Sequence, residues 1–397
     1  MTTRSLETTS LPAAASRTQQ TYDAVARLAQ RLGPEARLPT FSELRQQFSV
    51  SVITLNKALT QLEAHKVLYR RHGVGIFVSP HIGQQNIAVV CSPRFFEAAE
   101  VSPFWKILLE QARLHVEARH HSFSLHFSAP DSAPDPLQDA FRRSVRDRQV
   151  QGVLGVGLGS AATDWILEQE IPLVAFAGLA PQRVEIDYHQ IIRLGVEHLA
   201  TNGCRRIGLW LNHAPTDQPD RFWRRPERLQ ESPLIPSYQE ALALQGLAFD
   251  PALVRDSRIP DAGSNGPPPT TFWGQGYQMA FSVFGPGRGD LPLPDGIVSP
   301  SELFTQGVLV GLQRLGIGPG LEVRVASHAN ESSPVLQPWA EEITLLEVSP
   351  PHLARTMLAM LEAQMTAYEQ GEEAPTKSVV SLAPTLRVPG RPSCDAK

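Results

Sequence analysis

The feature that most constrains this chain is the stretch from 38 to 78, LPTFSELRQQFSVSVITLNKALTQLEAHKVLYRRHGVGIFV. It holds two helical patterns, a tight turn and a glycine-flanked hairpin. Ahead of it, Tyr22, Val25, Leu28 and Leu32 recur at helical spacing, and Gly33-Pro34 stops that helix. A second helix runs from Ser42 to Phe48, with Thr40 as its N-cap and Glu43 completing a capping box. The break at Ser49-Val50-Ser51 leads to a third helix, roughly 52 to 64. There Leu55, Leu59 and Leu62 face inward, while Thr54, Asn56, Lys57 and Gln61 remain outside. Two helices joined by so short a turn have helix-turn-helix geometry, and the second is narrow enough to enter a DNA major groove. Val67 and Tyr69, the Gly73/Gly75 turn and Ile76-Phe77-Val78 then form a β-hairpin wing, with Arg70 and Arg71 near its tip. A structural bundle that binds nothing is the alternative.

Charge is distributed unevenly. Residues 17–81 carry nine Lys/Arg against four Asp/Glu, whereas 82 onward carries 26 against 35. A basic head on an acidic body fits a nucleic-acid module joined to a partner domain, although drift along the chain gives the same numbers.

The segment from about Thr21 to Ser79 resembles the winged helix of GntR-type bacterial repressors. LPTFSEL matches the family's opening motif, VSVITLNKAL its recognition helix and RRHGVGIFV its wing. The resemblance implies DNA contact by Arg37, Thr40, Ser51, Thr54, Asn56, Lys57, Arg70, Arg71, His72 and Gly73. The family usually carries Arg at the place of Val52 and often at that of Asn56, so two guanine-reading forks are missing here.

From Asn86 short apolar runs alternate with helical patterns: NIAVVC, then Phe104 to Arg119, SFSLHFS, LQDAFRRSVRDR, GVLGVGL, ATDWILEQ, IPLVAFAG and onward to ITLLEVSP. Such alternation predicts parallel sheets wrapped on both faces, and some three hundred residues suit two lobes across a cleft. DYHQIIRLGVEHLATNGCRRIGLW is similar to a segment of the LacI/GalR effector domain, a relative of periplasmic sugar-binding proteins. The whole order resembles the arabinose-type regulators. The expected fold class is an α+β winged helix-turn-helix followed by a two-lobed α/β periplasmic-binding-protein-like domain of type I. Expected boundaries are a disordered leader 1–16, the winged helix 17–79, a linker 80–85, the two-lobed effector-binding and dimerisation domain 86–390 and a tail 391–397. So short a linker predicts mechanical coupling of head and body.

The second resemblance implies an effector between the lobes, where strand C-termini converge. It points to Phe104 and Trp105 at the start of a helix near the cleft mouth, and to Phe272 and Trp273 in a loop before Gly276. Ser301 and Glu302 stand where the family has an Asp, and Leu234 or a neighbour where it has an Arg. An aromatic face suits a pyranose or another planar ligand, and core packing is the alternative for each ring. The implied partners are double-stranded operator DNA, a sugar-like effector and a second copy of the chain. A body whose cleft has degenerated to a dimerisation scaffold is a further possibility.

Other signals point elsewhere or nowhere. No run of about 18 apolar residues is present to span a membrane, the leader lacks a secretory core, and three separated cysteines fit a cytoplasmic setting. GVGLGSA lacks phosphate-loop spacing and reads as a strand-to-helix turn capped by Ser160. His115, His120, His121 and His126 do not share one face, so no metal is expected. A pyridoxal-phosphate enzyme needs a Schiff-base lysine, and between 86 and 390 only Lys106 and Lys377 exist. Neither has a convincing setting, so no catalytic residue or cofactor is expected. The basic, aromatic insert 217–233 reads either as a solvated loop or as an anion-binding surface.

Overall fold

The first helix, α1 (Arg17–Leu32), starts where the Ser16 side chain accepts the Gln19 N–H and stops at Gly33, whose φ of 83° lets its N–H reach Ala29 O. These features belong to a computed structural model that describes residues 16–80, 82–97, 100–129, 135–212, 232–257, 269–286, 292–371 and 377–390. The leader, all but the end of the 217–233 insert, and the tail lie outside those residues. The chain divides into two units, 1–85 and 86–397.

In the first unit, α1 is followed by α2 (Phe41–Phe48), α3 (Val52–Ala64) and the antiparallel strands β1 (Leu68–Arg71) and β2 (Gly75–Val78). Val25, Ala29, Leu38, Leu44, Leu55, Leu59, Leu62, Leu68 and Val78 form one buried core. Of the inward positions expected on α1, Leu32 is instead 42% exposed and Ala29 fills the core. Leu32 is the last residue of α1, just before the Gly33 cap. The chain before α2 also pairs with the wing, since Leu38 N–H donates to Ile76 O at 2.9 Å and Val78 N–H to Ala36 O at 2.8 Å.

The second unit contains two six-stranded sheets. The first comprises β3 (Asn86–Cys91), β4 (Ser122–Phe127), β5 (Gly152–Val156), β6 (Leu173–Phe176), β7 (Gln182–Ile186) and, from far along the chain, β13 (Ser378–Leu382). Their order is β13-β7-β6-β5-β3-β4, all parallel. The second comprises β8 (Ile207–Leu211), β9 (Arg255–Asp256), β10 (Gly296–Ser299), β11 (Arg324–Asn330), β12 (Thr344–Val348) and β14 (Thr385–Arg387). Their order is β14-β12-β11-β10-β8-β9, parallel except for β14. The first five strands of each sheet therefore follow one winding, 2-1-3-4-5, the doubly wound order with its switch point between strands 1 and 3.

Helices cover both faces of each sheet. On the first, α5 (Pro103–Ala118) and α12 (Pro350–Gln370) bury one face, and α6 (Asp139–Arg146) and α7 (Ser160–Glu168) the other. On the second, α8 (Tyr188–Thr201) and α9 (Leu234–Leu244) oppose α10 (Phe272–Phe284) and α11 (Glu302–Arg314). The chain crosses between lobes three times: after β7, after β12, and between β13 and β14. The last helix of the second lobe's run thus packs on the first lobe. There the Gln364 amide both donates to and accepts from the Leu173 backbone.

The sequence pattern did not disclose the short α4 (Arg94–Glu97), β7, β9, α12, β13 or β14. The resemblance to the LacI/GalR effector domain puts Phe272 and Trp273 in a loop, whereas they form the first turn of α10, capped by Thr271. Gly276 follows within the same helix. It is a crossing residue rather than a turn residue: a Cβ there would stand 2.0 Å from Phe304 O, and one at Gly307 would stand 1.9 Å from Trp273 O. The two helices meet backbone to backbone. Gly159, not Ser160, occupies the N-cap of α7.

Candidate functional site

In the head, the turn between α2 and α3 is built from short polar side chains. Thr40 N–H donates to Glu43 Oε2 at 2.7 Å, and its hydroxyl accepts the Glu43 N–H, closing the capping box. That backbone bond also holds the Glu43 carboxyl below its ordinary range. Ser49 takes the left-handed conformation at φ 51°, and Ser51 caps α3 by accepting the Thr54 N–H at 3.1 Å. Leu55, Ala58, Leu59 and Leu62 lock α3 onto the core. Asn56, Lys57 and Gln61 are left exposed and Thr54 half-exposed.

The wing is tied to that helix. Arg70 Nε pairs with Glu63 at 2.9 Å, and its Nη2 donates to Asn56 Oδ1 at 3.4 Å. Two candidate DNA contacts, Arg70 and Asn56, therefore hold each other. The Arg71 guanidinium lies 5.5 Å from the Tyr69 ring centroid and 5.2 Å from that of Phe77, rings that stack across the hairpin. Arg37 bridges to Phe77 and its Nε lies 3.0 Å from where a Gly75 Cβ would stand. His72 and Gly73 form the exposed tip, and Gly73, at φ 72°, takes the conformation that favours glycine.

In the body, loops after the strands of one lobe touch helix N-termini of the other. The Glu100 carboxylate accepts the Trp273 N–H at 3.2 Å, and Ser102 Oγ donates to Glu302 Oε1 at 3.3 Å. Since 100–102 follow β3, and α10 and α11 follow β9 and β10, the C-terminal ends of the two sheets face one another. Glu302, 3% exposed, also accepts the Asn330 N–H at 3.1 Å. Burial raises its carboxyl against the lowering effect of bonds from Asn330, Ser333 and Ser102. Burial likewise raises Glu100 against the N–H groups of Trp273 and Phe272.

Around Glu302 the second lobe gathers buried polar groups that sequence reasoning did not identify. Ser299 ends β10, and His328 and Asn330 end β11. Ser299 Oγ, His328 Nε2 and Asn330 Oδ1 are buried without a hydrogen-bond partner among the described residues. Such atoms are rare and call for a physical account. Burial pushes the His328 imidazole down to about 4, so it is neutral at ordinary pH. Its ring lies 5.9 Å from that of Tyr188, whose hydroxyl burial and the Glu302 charge push up to about 12. The clue in the sequence was the polar run SHAN closing an apolar strand in a parallel sheet.

The first lobe presents rings instead. Trp105 stacks on Phe95 at 3.8 Å and lies 6.2 Å from Phe176, at the end of β6. Phe104, 5% exposed, belongs to the lobe core, and Phe272 packs against the core of the other lobe. Trp273 stacks on Tyr277 at 5.2 Å along α10. Ser301 caps α11, and Leu234 is buried at the start of α9. Of the six expected effector contacts, Trp105 and Glu302 are placed against the groups just described. Among the described residues, no cluster of three or more His, Cys, Asp or Glu could hold a metal ion, and no helix is long and apolar enough to cross a membrane.

Comparison with known proteins agrees with both units. Residues 18–78 match the family described as bacterial regulatory proteins, gntR family, and residues 196–393 match the periplasmic binding protein-like domain. An uncharacterized HTH-type transcriptional regulator, YurK of Bacillus subtilis, is 38% identical over 76 residues, which are 19% of this chain and 31% of that one. The chain thus spans about a third of the length of that curated relative. A LacI-family regulatory protein from Chloroflexus aggregans superposes with a TM-score of 0.56 at 18% identity, covering 76% of this chain and 96% of its own. The transcriptional regulator CelR in complex with cellobiose gives 0.52 at 18% identity, covering 85% and 90%. The chain joins a gntR-family winged helix to a periplasmic-binding-protein-like body with the LacI-type fold.

Proposed function

We propose that this chain is a ligand-responsive transcriptional regulator, a repressor in its simplest form, acting in the cytoplasm as a homodimer. The head docks α3 on operator DNA and the wing on the flanking backbone. Two heads reading two half-sites supply affinity that one small module lacks. The body senses rather than catalyses. Its ligand sits between the lobes with a flat apolar face on the Trp105 side and hydroxyls on the Ser299, Glu302, His328 and Asn330 side. A carbohydrate has that two-faced character, and the cellobiose held by CelR supports the class.

The observation that carries this proposal is the set of three unpartnered buried polar atoms on the strands around Glu302, whose carboxylate takes a hydrogen bond from Ser102 of the other lobe, three residues before Trp105. Buried polar groups cost stability unless something pairs with them, and a hydroxylated ligand supplies the partners. Ligand binding that favours one lobe arrangement over another changes operator affinity by its differential affinity for the two, whatever the sign. The test is calorimetry of the full chain against monosaccharides and disaccharides, cellobiose included. Sedimentation at micromolar concentration tests the dimer. Binding of at least one sugar, weakened about 30-fold by Asn330→Ala, is expected; no heat from any sugar would remove the carbohydrate assignment.

A further inference from the structure

The first turn of α3 leaves two adjacent aliphatic side chains in water: Val52 is 50% and Ile53 70% exposed. They sit where a recognition helix presents side chains to base edges. The polar groups beside them are largely engaged within the head. The Thr54 hydroxyl lies 2.9 Å from Ser51 Oγ, Asn56 Oδ1 accepts Arg70, and Arg70 is paired with Glu63. Val and Ile are β-branched and hold essentially one χ1 rotamer in a helix, so their methyl groups lose little freedom on contact. On the major-groove edge of the four standard base pairs, only the thymine C5-methyl is apolar.

We infer that Val52 and Ile53 determine operator specificity by packing against thymine C5-methyl groups, a role that rests on the DNA-binding function proposed above. The half-site then carries thymine at the base pairs facing the first turn of α3. Lys57 is left to the backbone and supplies affinity without base choice.

The probe is a duplex selected from a random library by the full chain, then resynthesised with deoxyuridine at single thymine positions, which deletes only a methyl group. Each critical methyl should be worth about four-fold in affinity, as expected for burial of one methylene-sized group. Val52→Ala with Ile53→Ala should bind thymine and uracil probes equally while melting at the wild-type temperature, because neither side chain is in the core. Val52→Arg should shift the selected base at its position from thymine to guanine. Equal binding of both probes by the wild-type chain overturns the inference. So does a double alanine variant that still discriminates between them. Duplex binding that is steeply salt-dependent but indifferent to the methyl leaves the regulator intact and removes only this role; failure to bind any duplex removes both.

Discussion

The two lobes of the body share a winding and differ in what they place at its open end. In the first lobe the strand ends and following loops offer Phe176, Phe95 and Trp105; in the second they offer Ser299, His328, Asn330 and Glu302. Topology fixes where a ligand is met, and the side chains at the strand ends fix what is met. On the function proposed above, a fold that repeats itself builds an asymmetric site, one wall insensitive to hydroxyl stereochemistry and one wall that reads it.

The most severe way to break the comparison is at the helix crossing of the second lobe. Gly307→Val drives a side chain into the Trp273 carbonyl, and a stability loss above about 4 kcal/mol is expected, read as loss of cooperative unfolding by circular dichroism. A tight glycine of the first lobe gives a contrast: Gly157→Ala meets the Phe95 ring instead of backbone. Gly157 has a φ of 63°, so some strain remains, but the ring can turn and the loss should be smaller.

Next comes pH, which acts on the polar wall. His328 is lowered from 6.5 to about 4, so the unfolded chain binds a proton that the folded chain refuses. Stability should fall by on the order of 3 kcal/mol as pH drops from 6.5 to 4, and His328→Asn should flatten that slope. Glu302 has the opposite sign. Its carboxyl is raised above 4.5, so its contribution is full below that pH and is lost as pH rises through the folded value. Glu302→Gln should therefore melt above the wild type at pH 7 and merge with it below pH 4.5, while weakening ligand binding.

Ligand affinity separates the walls more finely. Asn330→Ala should cost about 30-fold for a sugar whose hydroxyl it meets and little for the epimer at that carbon, the pattern of a lost directional bond. Trp105→Leu should cost about 3- to 10-fold across all pyranoses alike. Calorimetry on an epimer pair distinguishes the two, and equal profiles would mean the walls do not divide the work as proposed.

The head and the body differed in how much the sequence disclosed. The bounds of α3 and the capping box of α2 are local features, set by 3.6-residue periodicity and by Thr40 with Glu43, and both were legible. The strands β13 and β14 were not, because each is defined by pairing with a strand far away in the chain. In β7, QRVEI alternates as an edge does, yet β13 covers it and makes it interior. The loop expected for Phe272 and Trp273 came from the family resemblance, and the backbone-to-backbone crossing at Gly276 and Gly307 that holds them in a helix is set by a contact between distant segments. Of the polar cluster, Glu302 was anticipated and the SHAN run gave a clue, but the grouping itself was not legible, for a similar reason. Its members come from β10, α11, β11 and the segment after β3, and only the fold brings them together.

The most direct test of the account is fluorescence anisotropy of the selected duplex with the full chain, across the carbohydrate panel. At least one sugar should change duplex affinity by about five-fold or more, a coupling ordinary for a two-state sensor, and Asn330→Ala should need about 30-fold more of that sugar for the same change without altering sugar-free binding. Tight duplex binding that no sugar shifts, or a shift that Asn330→Ala reaches at the wild-type sugar concentration, would contradict it.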